Sequence, residues 1–217
     1  MLESKDTKSI AIGSALVAVN IALIWLFAQT FIPALVAALF QYLIVGVIVF
    51  GAILTGGTWL SAKGIREDNT KLAWFGVTLL MACYGAFGSL ALSFVESAGQ
   101  GFVLGVTAAV TVVIASLCAG YVYGSKKNFS KFRNYATYCF LGVLLFAFVG
   151  TFVGALAIIG FALATTGFLL YLIYEIWAIR TSPQKVMLNG IGIYSAFMGV
   201  FVHVLRIVVE MYLRRKR

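Results

Sequence analysis

The sequence predicts an all-α integral membrane protein, a single domain over residues 1–217 folded as a seven-transmembrane-helix bundle. Three observations predict it. The chain is 62% hydrophobic and only 11% charged, where soluble domains hold roughly 45–50% apolar and about 25% charged residues; its mean hydropathy is +1.03. Its apolar runs reach the ~20 residues that a spanning helix needs, without the alternation of barrel strands of about 10 residues. Its basic residues gather in alternate loops, as those of multi-pass proteins do.

The spans follow in order. The first, 10–30, reads as a span and not a cleaved leader, because further spans follow at once and the tail before it carries Glu3 and Asp6. The second, 34–60, is long and interrupted by Thr55-Gly-Gly-Thr-Trp59, so its end is expected before that motif. The third is 72–95 and the fourth 101–123. The fifth and sixth, 135–152 and 154–179, are divided only by Gly150 and Gly154. The last, 186–213, either spans or re-enters; spanning is the primary expectation.

Charge sets the orientation. Eleven Lys and Arg precede span one or lie in the loops after spans two, four and six: Lys5, Lys8, Lys63, Arg66, Lys71, Lys126, Lys127, Lys131, Arg133, Arg180 and Lys185. The opposite loops hold none, which places the N-terminus in the cytoplasm. Loop charge also accounts for the net +9, so nucleic acid is not an expected partner; the lipid bilayer is. A spanning last helix would leave Arg214 to Arg217 on the far side. The absence of large extramembrane domains points to a prokaryotic cytoplasmic membrane.

Small residues suit close helix crossings. Gly101-x-x-x-Gly105, Gly150-x-x-x-Gly154 and Ser195-x-x-x-Gly199 have this spacing, and the last would let the C-terminal helix sit at the bundle centre. Cys83, Cys118 and Cys139 stand singly and read as small apolar residues. Trp59, Trp74 and Trp177 fall near inner ends, as an interfacial belt requires, and Trp25 lies deeper towards the outside.

Glu175 is the polar anomaly, an acid within Tyr171-Leu-Ile-Tyr-Glu-Ile-Trp177. It lies five residues before Arg180, about 7 Å below the inner surface at 1.5 Å per residue. Intramembrane acids face the bundle or water, and often carry function. One reading makes it an ion-pathway or proton-switch group with Tyr174, Tyr194 and Asn189 near it. The other has it merely held by Tyr171, Tyr174 and Tyr194 or by Arg180. A pair with Arg206 would require a re-entrant last helix. Towards the outer face, Glu96, His203 and Arg206 form a candidate polar cluster, read either as an outer gate or as interfacial snorkelling of Arg. With one histidine, no His-Glu-x-x-His, no Gly-x-Ser-x-Gly and no paired intramembrane acids, no catalytic residue, metal site or cofactor is expected. The last span also lacks the mid-membrane lysine of a retinal protein.

Residues 169–179 (LLYLIYEIWAI), 191–208 (IGIYSAFMGVFVHVLRIV) and the basic loop 121–132 (YVYGSKKNFSKF) resemble the Bax inhibitor-1 family, the transmembrane Bax-inhibitor-motif proteins, including bacterial members. The resemblance implies a central last helix wrapped by the other six. It also implies cation leak, chiefly of calcium, controlled by protonation of a carboxylate pair, or in some bacterial members association with a membrane protease. Glu175 matches the acid of the sixth helix. The second acid, on the seventh, falls at Ala196, and the second span carries none, so a two-carboxylate switch is not present.

Overall fold

A computed structural model describes residues 4–125, 127–182 and 185–216. Glu3, Lys126 and Arg217, which enter the charge reading above, lie outside them. Eight helices follow one another among the described residues, with no strand: α1 (Ser4–Ala28), α2 (Ile32–Phe40), α3 (Leu43–Arg66), α4 (Thr70–Leu92), α5 (Ser97–Gly124), α6 (Phe132–Gly150), α7 (Leu156–Thr181) and α8 (Val186–Arg215). All but α2 are long and apolar enough to cross a membrane. The chain is an integral, multi-pass membrane protein.

The second expected span divides in two. Tyr42 is extended (φ −106°, ψ 100°) and caps α3, so α2 is a separate nine-residue helix with proline in its first turn. Phe40 at the end of α2 rests on Phe87 of α4 (5.3 Å between ring centroids), which in turn meets Phe50 of α3 (4.7 Å). This aromatic wedge fixes the corner. The motif at Thr55–Trp59 does not end the span; α3 continues through it to Arg66. Its glycine serves packing. A Cβ on Gly57 would stand 3.0 Å from the Gly76 carbonyl and from Leu80, and one on Gly76 would meet Ser61. Backbone approaches this close need residues without side chains.

Of the expected small-residue crossings, only Ser195–Gly199 is a close interhelical one, with Phe168 of α7 lying directly on Gly199. Gly101, Gly105 and Gly154 have nothing within 4 Å of a built Cβ, and Gly150 packs on Ala157 across the α6–α7 turn. Trp25, Trp59 and Trp74 are exposed, and Lys63 sits over the Trp59 ring at 5.1 Å.

α8 takes the centre. Of its spanning core 67% is buried, against 50% for α4 and 22% or less for every other span. It touches α1, α3, α4, α5 and α7, while α6 packs on α7 and α3. α1 and α8 run one way through the bundle, and α5 and α7 the other. At one end Tyr123 lies within electrostatic reach of both Asp6 and Arg180. At the other, Lys216 Nζ meets Glu96 at 2.7 Å and the Gln29 amide donates to Gln100 at 2.6 Å. α8 is unbroken and its 30 residues run about 45 Å, the thickness of a bilayer with its headgroups. It does not re-enter, and Arg206 pairs with Glu210 instead of Glu175.

Candidate functional site

α7 buries Gly160, Gly167, Phe168, Leu172, Glu175, Ile176 and Ile179. Their spacing of three, four and seven residues forms one helical face. The acid therefore sits on the packing stripe, and α8 is what it packs against. Its Oε2 lies on the backbone of Gly192, where a built Cβ would collide with the carboxylate. Gly192 comes seven residues after Lys185, so the carboxylate is roughly 10 Å from the N-terminal end of α8 at 1.5 Å per residue.

Glu175 rests on α8 and lies within reach of charge on α6. The Tyr171 phenol belongs to a residue one turn back on the same helix, and the field of Arg133 on α6 reaches the carboxylate. The Tyr84 hydroxyl donates to the Ser195 carbonyl at 2.9 Å and stands 3.2 Å from the Ser195 hydroxyl. Tyr84 and Ser195 thus tie α4 to α8, and Glu175 ties α7 to α8 about one turn nearer the start of α8. The Glu175 side chain makes no ion pair among the described residues.

The other expected site residues fall elsewhere. Tyr174 stacks between Tyr171 (6.3 Å) and Trp177 (6.0 Å) and takes the Arg133 guanidinium over its ring at 5.9 Å. It orients the cation instead of the acid. Tyr194 turns to α4, edge-on to Tyr84 at 6.2 Å, and its buried hydroxyl has no hydrogen-bond partner. Asn189 donates its amide to the Ser182 carbonyl at 2.9 Å, tying the start of α8 to the end of α7, which is a structural clamp. Arg180 does not reach back to Glu175. It donates to the Val122 and Ser125 carbonyls (3.0 and 3.2 Å) and so caps the C-terminus of α5, whose last carbonyls carry partial negative charge.

The outer cluster is only partly assembled. His203 and Arg206 both lie against Phe161, the imidazole at 5.1 Å and the guanidinium at 4.9 Å. The imidazole is also 5.3 Å from Phe168, and its Nδ1 donates to the Gly199 carbonyl at 2.8 Å. Glu96 is not part of this cluster; its partner is Lys216. That contact holds the Glu96 carboxyl below the usual carboxylate range, by hydrogen bond first and charge second.

Sequence reasoning missed Tyr84, Ser195, Arg133 and Asn20. The Asn20 side chain is fully buried and donates to the Met81 carbonyl of α4 at 2.7 Å. An amide in the middle of an apolar span was its available signal. Ser195 was visible only as a small residue and Tyr84 only as one aromatic among many. No group of three or more His, Cys, Asp or Glu that could hold a metal occurs among the described residues. A resident calcium ion takes six to eight oxygens, commonly from several carboxylates, and Glu175 supplies one. Neither a family model, nor a curated protein, nor a solved structure matches the chain.

Proposed function

We propose that this is a Bax-inhibitor-like protein of a prokaryotic cytoplasmic membrane, oriented with its basic loops in the cytoplasm. In this reading it leaks cations, calcium among them, along the α7–α8 seam, under control of protonation at Glu175. One observation carries the reading: the Glu175 carboxylate is buried between two spanning helices, against the Gly192 backbone and close to the inner end of α8. Intramembrane acids in such positions line ion or proton pathways. The test is calcium-dye flux in proteoliposomes between pH 5 and 8. Flux is expected to depend on pH in the native chain and to lose that dependence in Glu175→Gln. Equal flux in the two proteins at every pH would remove Glu175 from the mechanism.

A second reading has its own support. Ala196, where the resemblance implies the partner acid, is fully buried among Phe168, Leu172 and Ile176. A methyl there cannot share a proton with Glu175. This favours a regulator that transports nothing and binds another membrane protein such as a protease. Absence of flux at any pH, with recovery of a membrane protease on affinity capture from native membranes, would decide for it.

A further inference from the structure

The outer half of α8 carries charge where the bundle leaves it uncovered. On α5, the residues packed with the α7 cluster lie in its second half: Val122, with Ile114, Ala115 and Cys118 beside it. The first half, through Val103, Leu104 and Ala108, packs with α8 instead. α5 and α7 therefore adjoin at the inner end and part towards the outer one. Between them one flank of α8 stays exposed: Arg206 and Glu210, with side chains 57% and 55% accessible, and Ile207 and Met211 beside them.

Depth makes this exposure informative. Arg206 precedes Arg214 by eight residues, about 12 Å along the axis. The headgroup layer is only about 6 Å deep on each side of a hydrocarbon core of about 30 Å. With Arg214 at the outer edge of the headgroup layer, Arg206 stands at hydrocarbon level. Helical side chains leave the axis tilted towards the N-terminus, here the inner end, so Arg206 does not start out towards the outer surface. Its guanidinium rests over the Phe161 ring, and its Nε meets Glu210 at 3.4 Å. Charged side chains at this level face protein or water, not lipid.

The same face continues inwards. His203 lies under Phe161, then Phe168 covers Gly199 so closely that no Cβ would fit. Below that come Ala196 and Gly192 with the Glu175 carboxylate.

We propose that the outer half of the α7–α8 seam is a water-filled vestibule opening between α5 and α7, floored by Arg206 and Glu210, and that the Phe168 ring seated on Gly199 is the barrier between this vestibule and Glu175. The vestibule admits small hydrated cations and protons from the side of the C-terminal tail. This deepens the leak reading and rests on it for its purpose.

The test is thiol accessibility in proteoliposomes, in a background where Cys83, Cys118 and Cys139 are alanine, using a membrane-impermeant methanethiosulfonate. Arg206→Cys and Glu210→Cys are expected to be labelled from the tail side, while Leu117→Cys, on an exposed part of α5, stays unlabelled. Ala196→Cys is expected to be silent alone and to become reactive from the tail side when combined with Phe168→Ala or the milder Phe168→Leu. Positions 206 and 210 as unreactive as 117 would overturn the vestibule. Disulfide-linked dimers through them would overturn it too, in favour of a second copy covering the face. Silence of Ala196→Cys in both Phe168 variants would overturn the barrier. Labelling does not require Glu175 to titrate, so a failure of the Glu175→Gln flux test leaves this result standing or falling separately.

Discussion

Gly192 and Gly199 stand seven residues apart on α8, two turns on one face, and each admits a side chain of α7 to the helix backbone. Gly101 and Gly105, four residues apart on α5, admit nothing. The same residue type therefore predicts opposite outcomes. Gly199→Val forces Phe168 off its seat, and overpacking of this kind costs about 1–3 kcal/mol; the melting temperature in detergent is expected to fall. Gly105→Ala gains helix propensity without a clash, so it is expected to leave the melting temperature unchanged or raise it. A fall of equal size in both would mean that the Phe168–Gly199 contact is not specific. Charge at the outer corner gives a pH prediction. The Glu96 carboxyl is lowered by Lys216, and the Lys216 ammonium is raised by the hydrogen bond to Glu96. The stabilisation linked to Glu96 is therefore complete above its unfolded value of about 4.3 and is lost as pH falls through its lowered folded value. That linked to Lys216 is complete below about 10.4 and is lost as pH rises through its raised value. Both groups are solvent-exposed, so the effect is small and weakens with salt. Disulfide trapping of Glu96→Cys with Lys216→Cys, in the background without native cysteines, is expected to hold the two ends of the chain's outer corner together.

At the scale of elements, the α3–α4 corner shows how the chain ends one helix and starts the next. Asp68 adopts a left-handed conformation (φ 52°), and the Asn69 side chain accepts from the Leu72 amide at 3.1 Å to cap α4. Loss of such a cap costs about 1 kcal/mol. Asn69→Ala is thus expected to lower thermal stability, while Asp68→Gly, which suits positive φ, is expected to preserve or raise it. This corner was legible as a polar break with Asp and Asn in it. The α2–α3 corner was not, because Gln41 and Tyr42 interrupt an apolar run too weakly to read as a break. The Thr55–Trp59 motif misled for a physical reason. Glycine ends helices in water, but between lipid-embedded helices it permits backbone contact, and only the partner Gly76 reveals which role applies. The site divides in the same way. A lone acid in an apolar stretch signals burial by its cost alone, so the position of Glu175 was readable. Gly192, on which it rests, and Arg133, whose charge reaches it, come from two other helices, and the relative heights of those helices are set by packing that no local pattern encodes.

For the whole molecule, the decisive feature is that α8 crosses with a cationic end. Arg214, Arg215 and Lys216 stand at the end of the bundle where Glu96 lies, opposite the basic loops. In the proposed orientation the tail is carried outwards against the membrane potential, at about 2.3 kcal/mol per charge per 100 mV, and so opposes its own translocation. Two things outweigh it. The N-terminal segment and the upstream loops together hold eleven basic residues that oppose it, and orientation is generally fixed by early spans. α8 also buries sixteen residues, from Asn189 to Val209, that only a transmembrane placement can satisfy. The two termini are accordingly expected on opposite sides. A fluorescent protein fused to the N-terminus should be bright and alkaline phosphatase there inactive, with the reverse at the C-terminus. Deleting the basic loop between α5 and α6 should weaken that bias, because the tail then meets less opposition to staying inside. A bright C-terminal fluorescent fusion on the intact chain would mean that α8 does not cross. The seam between α7 and α8 would then have no outer mouth, and neither the vestibule nor a leak past Glu175 could operate.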